Sequence, residues 1–424
     1  MLDVIIVGGG AAGFFAAIHI AEENPELKVA IFERGKQVLG KVKVSGGGRC
    51  NVTHSEYEQK ELVKNYPRGE KELLGPFYTF SVYDTVEFFR KRGISLKIED
   101  DGRMFPESNT SQTIIDCFVN EVERLGVRVL KNSHVINIVP IAGNGGWDIE
   151  SVKKKYQAKK VLLACGSSPK VWKLLENLGH TIVPAIPSLF TFNIKDERIN
   201  GIQGVSCLAR VQVIPAEVIN PKVTIKLKSK NKKEPLLESE GPLLITHWGM
   251  SGPAILKLSA WGAVQLHGYD YKFKIKVNWV PEYYEGAIVP YLLEIKEVET
   301  KKTVLRTNAF ENMPKRLWRN LVKAAGLTET TRWADVTKKQ LDDLSLQLTN
   351  SEFQVDGKST FKEEFVTAGG VNLKEINFKT YESKVIPNLF FAGEVTNVDA
   401  ITGGFNFQNA WTSAYIAAKA IAKV

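Results

Sequence analysis

The sequence predicts an α/β protein whose first domain grows from a dinucleotide-binding βαβ unit and is split by a β-rich insertion. Three observations carry this expectation. The first 33 residues run strand, glycine turn, helix, strand. From about Leu189 the pattern changes to period-two alternation, and at "FVTAGGV" and "NLFFAGE" the buried-strand and glycine texture of the start returns.

Taken in order, Leu2 to Val7 is a continuous apolar run of the kind found in a central parallel strand. Ala11 to Glu23 has helical composition, and Val29 to Phe32 returns to strand character. Helical patterns follow over Ser81 to Gly93 and Ser111 to Leu125, with strands around "SLKIEDDGRMF", "VRVLKNSHVINIV" and "WDIESVKKKYQAKKVLLACG". Past Pro184 and Pro187, the segments "RVQVIP", "KVTIKLKS" and "YKFKIKVNWV" alternate, and a helical stretch runs from about Leu292 to Leu348. The expected boundaries are residues 1–188 and 353–424 for the split first domain, 189–290 for a β-rich insert and 291–352 for its helical part.

Composition narrows the function classes. The 424 residues are 44% hydrophobic, as in an ordinary globular protein of two or three domains. Cys50, Cys117, Cys165 and Cys207 lie far apart with no C-x-x-C pair, so neither a disulfide framework nor a metal site is indicated, and a reducing cytoplasm fits. The apolar start lacks the basic flank of a signal peptide, and no run reaches the roughly 18 apolar residues of a membrane span. Lysine and arginine exceed the acids by 56 − 47 = 9, concentrated in Lys153 to Lys160 and Lys226 to Glu234. Only Tyr156 interleaves with these lysines, so solvated strand edges are expected rather than a nucleic-acid face.

The chemistry begins at Gly8, Gly10 and Gly13, a G-x-G-x-x-G directly after a strand. Gly8 allows the tight turn, Gly10 lets a pyrophosphate approach, and Gly13 permits close helix–strand packing; Ala11 and Ala12 open the helix whose free N–H groups face the phosphates. Twenty residues after Gly13 stands Glu33, followed by Arg34, where a carboxylate accepts ribose hydroxyls. Two further strands end in glycine turns, at Ala164-Cys165-Gly166 and at Gly393-Glu394, a pattern that resembles flavoproteins of the two-dinucleotide-binding type. There is no second G-x-G-x-x-G for a nicotinamide domain, so FAD is the expected cofactor, with NAD(P)H as a transient reductant.

The segments "GKVKVSGGGRCNVTHS", "DGRMFPES", "LGHTIVPAIPSL", "GPLLITHWGMSGPAIL" and "FVTAGGVNLKEINFKTYESKVIPNLFFAGEVTNVDAITGGFNFQNAW" together resemble the aminoacetone oxidase-like family of bacterial FAD-dependent oxidoreductases. That family is in turn similar to flavoproteins proposed to reduce bile-acid intermediates. The resemblance implies a Rossmann-like two-dinucleotide-binding FAD fold, discontinuous and interrupted by a β-barrel-like insert with a helical subdomain. It places Lys41, Gly47, Gly48, Arg49, Cys50, Asn51, Val135, Phe405 and Asn406 among the cofactor-contacting residues, with the glycine loop beside the flavin ring. The family's alanine-threonine-glycine-glycine turn is Ala164-Cys165-Gly166-Ser167 here, and its aspartate-glycine is Asp399-Ala400, departures that bear on the substrate more than on the cofactor.

Four residues are candidates for catalysis. Arg49 or Asn51, after three glycines that let backbone lie flat against a planar ring, suits hydrogen-bonding its edge; Arg103 suits anchoring a carboxylate or polarising a carbonyl, His247 suits proton exchange, and Cys50 becomes reactive only if a neighbour such as Arg49 lowers its pKa. The alternatives are that Arg103 pairs with Asp101, that His247 is a satisfied histidine, and that Cys50 is structural. Gly403 and Gly404 precede a small-residue helix from Phe405 to Ala422, and glycine there is expected to let the flavin edge reach the helix N-terminus. The expected function is hydride transfer between FAD and a small organic substrate, as amine oxidase or as NAD(P)H-linked reductase; the alternative is an FAD-binding RNA-modification or regulatory protein.

Overall fold

The computed structural model describes residues 1–143, 145–216, 237–307, 309–359 and 366–423. The lysine run Lys226 to Glu234 and the expected strand "KVTIKLKS" lie outside them. Two compact units result, Met1–Pro187 with Phe361–Val424, and Ser188–Thr360.

The first unit is organised by a nine-stranded sheet. Leu2–Val7 lies between Val29–Phe32 and Lys155–Leu163, parallel to both, and Leu389–Phe391 runs parallel on the far side of Lys155–Leu163. Arg128–Leu130 extends one edge, Glu382–Ser383 and Ile376–Asn377 the other, while Trp147–Ser151 and Val135–Pro140 add an antiparallel extension. The register decides where function can sit: Val7 pairs with both Phe32 and Leu163, and Leu163 with Phe391. The carboxyl ends of these four strands therefore finish side by side, and the turns that follow them share one rim of the sheet.

Burial on both sheet faces accounts for the unbroken apolar runs. Ile5, Ile6, Ala30, Ile31, Val161 and Leu162 are wholly buried. Helix Ala11–Glu23 packs against helix Phe405–Ala422, both rich in alanine so that the backbones approach closely. Phe15, Phe88, Phe118 and Trp411 fill the adjoining space with ring centroids 4.5–6.4 Å apart, each such ring contributing about 1.5–3 kcal/mol by leaving water. Lys160 donates from Nζ to the carbonyls of Ile421 (2.7 Å) and Lys423 (3.0 Å), capping the last helix. Part of the Lys153–Lys160 cluster thus holds this unit together.

The second unit carries a seven-stranded antiparallel sheet in the order Ser351–Asp356, Lys272–Asn278, Ser206–Ile214, Glu238–Ile245, Gly249–Ser251, Thr191–Asn193, Lys358–Ser359. Ser351–Asp356 pairs along its whole length with Lys272–Asn278, so this unit reaches beyond the expected boundary at 352. Helices Pro253–Trp261 and Ala263–Gly268 lie within the stretch expected to be β-rich, and Val289–Val298, Lys315–Ala324 and Lys338–Thr349 form the helical part. Among the described residues no helix is long and apolar enough to cross a membrane.

Candidate functional site

The turn after the first strand is shaped by contacts that leave no room for a side chain. At Gly8, whose φ is +119°, a Cβ would stand 2.4 Å from the Ala164 carbonyl oxygen, and at Gly13 one would stand 2.0 Å from the Gly8 oxygen. Gly10 has nothing within 4 Å of such a position and has no side chain to cap the helix it opens. A phosphate can therefore approach the N-terminus of Ala11–Glu23, where the helix dipole and the first N–H groups favour an anion. Glu33 completes the turn: Gly9 N donates to its Oε2 (2.9 Å) and Gly35 N to its Oε1 (2.7 Å). Both oxygens keep lone pairs for ribose hydroxyls, and the carboxylate is already oriented.

Two more turns converge on the same rim. Ala164 N donates to the Val7 carbonyl and Ala392 N to that of Leu163, so Cys165-Gly166 and Gly393-Glu394 follow directly from the paired strands. Glu394 Oε2 would lie 3.5 Å from a Cβ at Gly166, its Oε1 accepts from Thr367 N (3.1 Å), and Lys41 forms an ion pair with the same carboxylate. Gly393 N donates to Ser413 Oγ (2.9 Å) of the C-terminal helix. Thr367 Oγ1 and Asn409 Oδ1, both buried beside this turn, have no hydrogen-bond partner among the described residues. Glycine turns, an open helix N-terminus, an oriented ribose carboxylate and unspent polar atoms fit FAD. Thr367, Ser413 and Asn409 escaped the sequence reading because isolated hydroxyl and amide residues carry no motif.

The glycine loop and the start of the last helix meet through backbone contacts. The helical segment Gly40–Gly48 breaks at Ser45, Gly46 and Gly47, and the chain then returns through Asn51 to Thr53. Asn51, with its amide oriented by its neighbours, accepts from Gly404 N and donates to the Thr53 carbonyl, each at 3.0 Å. One N–H and one lone pair of its amide are thus engaged with the backbone. Gly404 has φ +96°, and a Cβ would stand 2.5 Å from the Thr53 oxygen. This backbone contact by itself requires glycine at 404, beside the expected admission of the flavin edge. Phe405 stacks on His54 at 4.5 Å, Tyr66 Oη donates to the Phe405 carbonyl (2.6 Å), and Asn406 exchanges two hydrogen bonds with Ala400.

The catalytic candidates separate. Arg49 stacks over Phe105 at 4.0 Å and pairs with Glu99 at 2.5 Å. Arg103 donates to Asp101 at 2.7 Å and to Glu99 at 3.3 Å, so the pairing with Asp101 is present and both guanidiniums grip one carboxylate. The hydrogen bond from Arg49 and the charges of both arginines hold Glu99 below the usual carboxylate range. Burial raises Asp101, but the hydrogen bonds from Arg103 outweigh it and leave the group low. Cys50 is wholly enclosed, and burial pushes its thiol up to about 12, the reverse of an activated thiolate; the structural alternative is the one this geometry favours. Burial likewise pushes Cys165 up to about 12. His247 belongs to the second unit, exposed between strands Glu238–Ile245 and Gly249–Ser251. Arg34 is exposed after Glu33, and Val135 is buried in the antiparallel extension.

Residues 2–420 match the HI0933-like protein Rossmann domain family. The ribosomal RNA dihydrouridine synthase of Escherichia coli is 27% identical over 98% of this chain and 97% of its own. The 3-dehydro-bile acid delta(4,6)-reductase of Clostridium scindens is 26% identical over 99% of this chain and 98% of its own. Among solved structures, 3-ketosteroid-delta4-(5alpha)-dehydrogenase from Rhodococcus jostii superposes with a TM-score of 0.51 at 13% identity, covering 100% of this chain and 97% of that one, a likeness of fold. With the match spanning both halves of the split first unit, the chain belongs to the HI0933-like family of FAD-binding Rossmann oxidoreductases.

Proposed function

We propose that the protein is an FAD-dependent reductase that saturates a carbon–carbon double bond conjugated to a carbonyl, drawing its electrons from NAD(P)H. The observation that carries this reading is chemical: two relatives matching almost the whole chain have names that describe one reaction class. Dihydrouridine is uridine with a carbonyl-conjugated ring double bond saturated. The double bonds of a 3-dehydro delta(4,6) compound are likewise conjugated to its 3-ketone.

When bound, FAD supplies the two-electron chemistry. In this reading Glu33 holds the adenosine ribose, the N-terminus of Ala11–Glu23 holds the pyrophosphate, and the Lys41–Glu394 pair meets the polyhydroxyl linker. Reduction of a conjugated bond moves negative charge onto the carbonyl oxygen. A permanently charged guanidinium answers that charge, a role for which Arg49 and Arg103 remain the candidates. Substrate size follows from which relative this chain resembles in function; the net charge of +9 favours an RNA substrate as the second reading.

The test is anaerobic mixing of the purified protein with NADH or NADPH, followed by a 3-keto-4-ene steroid or a uridine-containing RNA. Bleaching of the flavin by a nicotinamide, and recovery of colour with a saturated product by mass, is the expected outcome. Bleaching by aminoacetone but by neither nicotinamide overturns the reading in favour of amine oxidation.

A further inference from the structure

Beneath the Asn51–Gly404 contact lies a buried polar chain that no cofactor contact explains. Gln408, one turn into the C-terminal helix, accepts at Oε1 from Thr53 Oγ1 (2.7 Å) and Thr85 Oγ1 (3.0 Å). Its Nε2 donates to Thr412 Oγ1 (3.1 Å), which donates to the Phe80 carbonyl (2.9 Å). Thr53, Thr85, Gln408 and Thr412 are each 0% exposed. Gln408 N also donates to the Gly404 carbonyl, closing the first helical turn. Thr53 is therefore tied to the helix start twice, by its carbonyl through Asn51 and by its hydroxyl through Gln408.

Burying four polar side chains here has an apolar alternative. Replacing all partners of a buried hydrogen-bonded set by apolar groups of the same shape is close to neutral for stability, whereas removing one strands the rest. What a directional network adds is one rotation and one translation of the helix against the strand. The helix start that it orients is the element expected to meet the negative edge of the cofactor.

We infer that Gln408 is a positioning residue: through Thr53 and Thr85 it sets where the N-terminus of helix Phe405–Ala422 stands, and thereby tunes the affinity and potential of FAD without touching it. This rests on the reading that the first unit binds FAD.

Three variants of the full chain are compared with wild type: Thr53→Val, Gln408→Leu, and the triple Thr53→Val/Thr85→Val/Gln408→Leu. For each, the melting temperature of the apoprotein, the FAD dissociation constant by titration and the flavin midpoint potential are measured. Gln408→Leu is expected to lower the melting temperature, since it strands the Thr53 hydroxyl and leaves that of Thr85 only its 3.3 Å bond to the Ser81 carbonyl, and the triple variant to recover it. The dissociation constant is expected to rise about tenfold in Gln408→Leu and to stay raised in the triple variant, with a displaced potential; Thr53→Val shows a smaller change in the same direction. A triple variant, or a Thr53→Val protein should the others not fold, with wild-type affinity and potential overturns the inference. A wild-type protein that binds no FAD refutes the cofactor reading instead.

Discussion

The two units solve the problem of burying a sheet in opposite ways, and the difference locates the chemistry. In the first, Leu2–Val7 and Val29–Phe32 are buried almost residue by residue, because a parallel sheet is covered on both faces. In the second, Lys272–Asn278 and Ser351–Asp356 alternate buried and open positions, with Phe273, Ile275 and Val277 inward and Lys272 and Lys274 outward. A parallel arrangement sends every strand in the same direction, so Gly8, Cys165-Gly166 and Gly393 collect at one rim and backbone N–H groups become the binding surface. An antiparallel arrangement scatters its turns to both ends and offers side chains instead.

That contrast is sharpest at the glycine contacts. Gly13→Val drives a side chain into the Gly8 carbonyl, and the expected result is loss of bound flavin by more than about a hundredfold, or no soluble protein. Flavin content per mole of purified protein measures it; normal content would mean the turn is not the phosphate site.

The alternation of the second unit predicts its own pair of effects. Ile275→Ala, at a wholly buried position, should cost about 2–5 kcal/mol. Lys274→Ala, one residue away and exposed, should change stability by no more than about 0.5 kcal/mol. Denaturant titration of both distinguishes them, and equal effects would break the inward–outward assignment.

Glu33→Gln tests the oriented carboxylate. Removing the charge weakens two backbone hydrogen bonds and the ribose contact, which at about 1.5–3 kcal/mol for a charged hydrogen bond corresponds to roughly 10–100-fold weaker FAD binding. The melting temperature of the apoprotein should move much less, because the strand pairing is untouched.

A pH dependence is expected in the first unit. Burial among Phe15, Phe88 and Tyr415, with Arg92 and Lys419 nearby, pushes His19 down to about 3. Its facing charges also include Glu22, 3.8 Å from Nδ1. The unfolded chain takes up this proton near pH 6.5 and the folded chain does not. The stabilisation is therefore complete above pH 6.5 and is lost as pH falls from there toward 3. Thermal melts of His19→Leu between those limits should fall less steeply than wild type; parallel slopes would remove His19 from the account.

Legibility followed chain distance. The place of Glu33 is legible because it is set by a spacing of twenty residues from Gly13, and Ala11–Glu23 because its neighbours along the chain determine it. Arg49 was read as a polar candidate, but not its grip on Glu99, fifty residues on. Gly404 is legible as the start of a helix, but its contact with the Thr53 carbonyl, about 350 residues away in the chain, is not. Local geometry repeats with a fixed period and so leaves a pattern; a contact between distant segments leaves none until the chain is folded.

The sequence alone determined that a strand–glycine–helix–strand unit opens the chain, that an acidic residue ends its second strand, and that two later strands end in glycine. Periodicity and spacing encode each of these within a few turns of chain. Only the tertiary structure decided that Val7, Leu163 and Phe391 finish in register, that Lys41 meets Glu394, and that Thr53 receives both Asn51 and Gln408. All but the Asn51–Thr53 contact join segments far apart in the chain, and their partners are selected by packing, which acts on surfaces and not on sequence order.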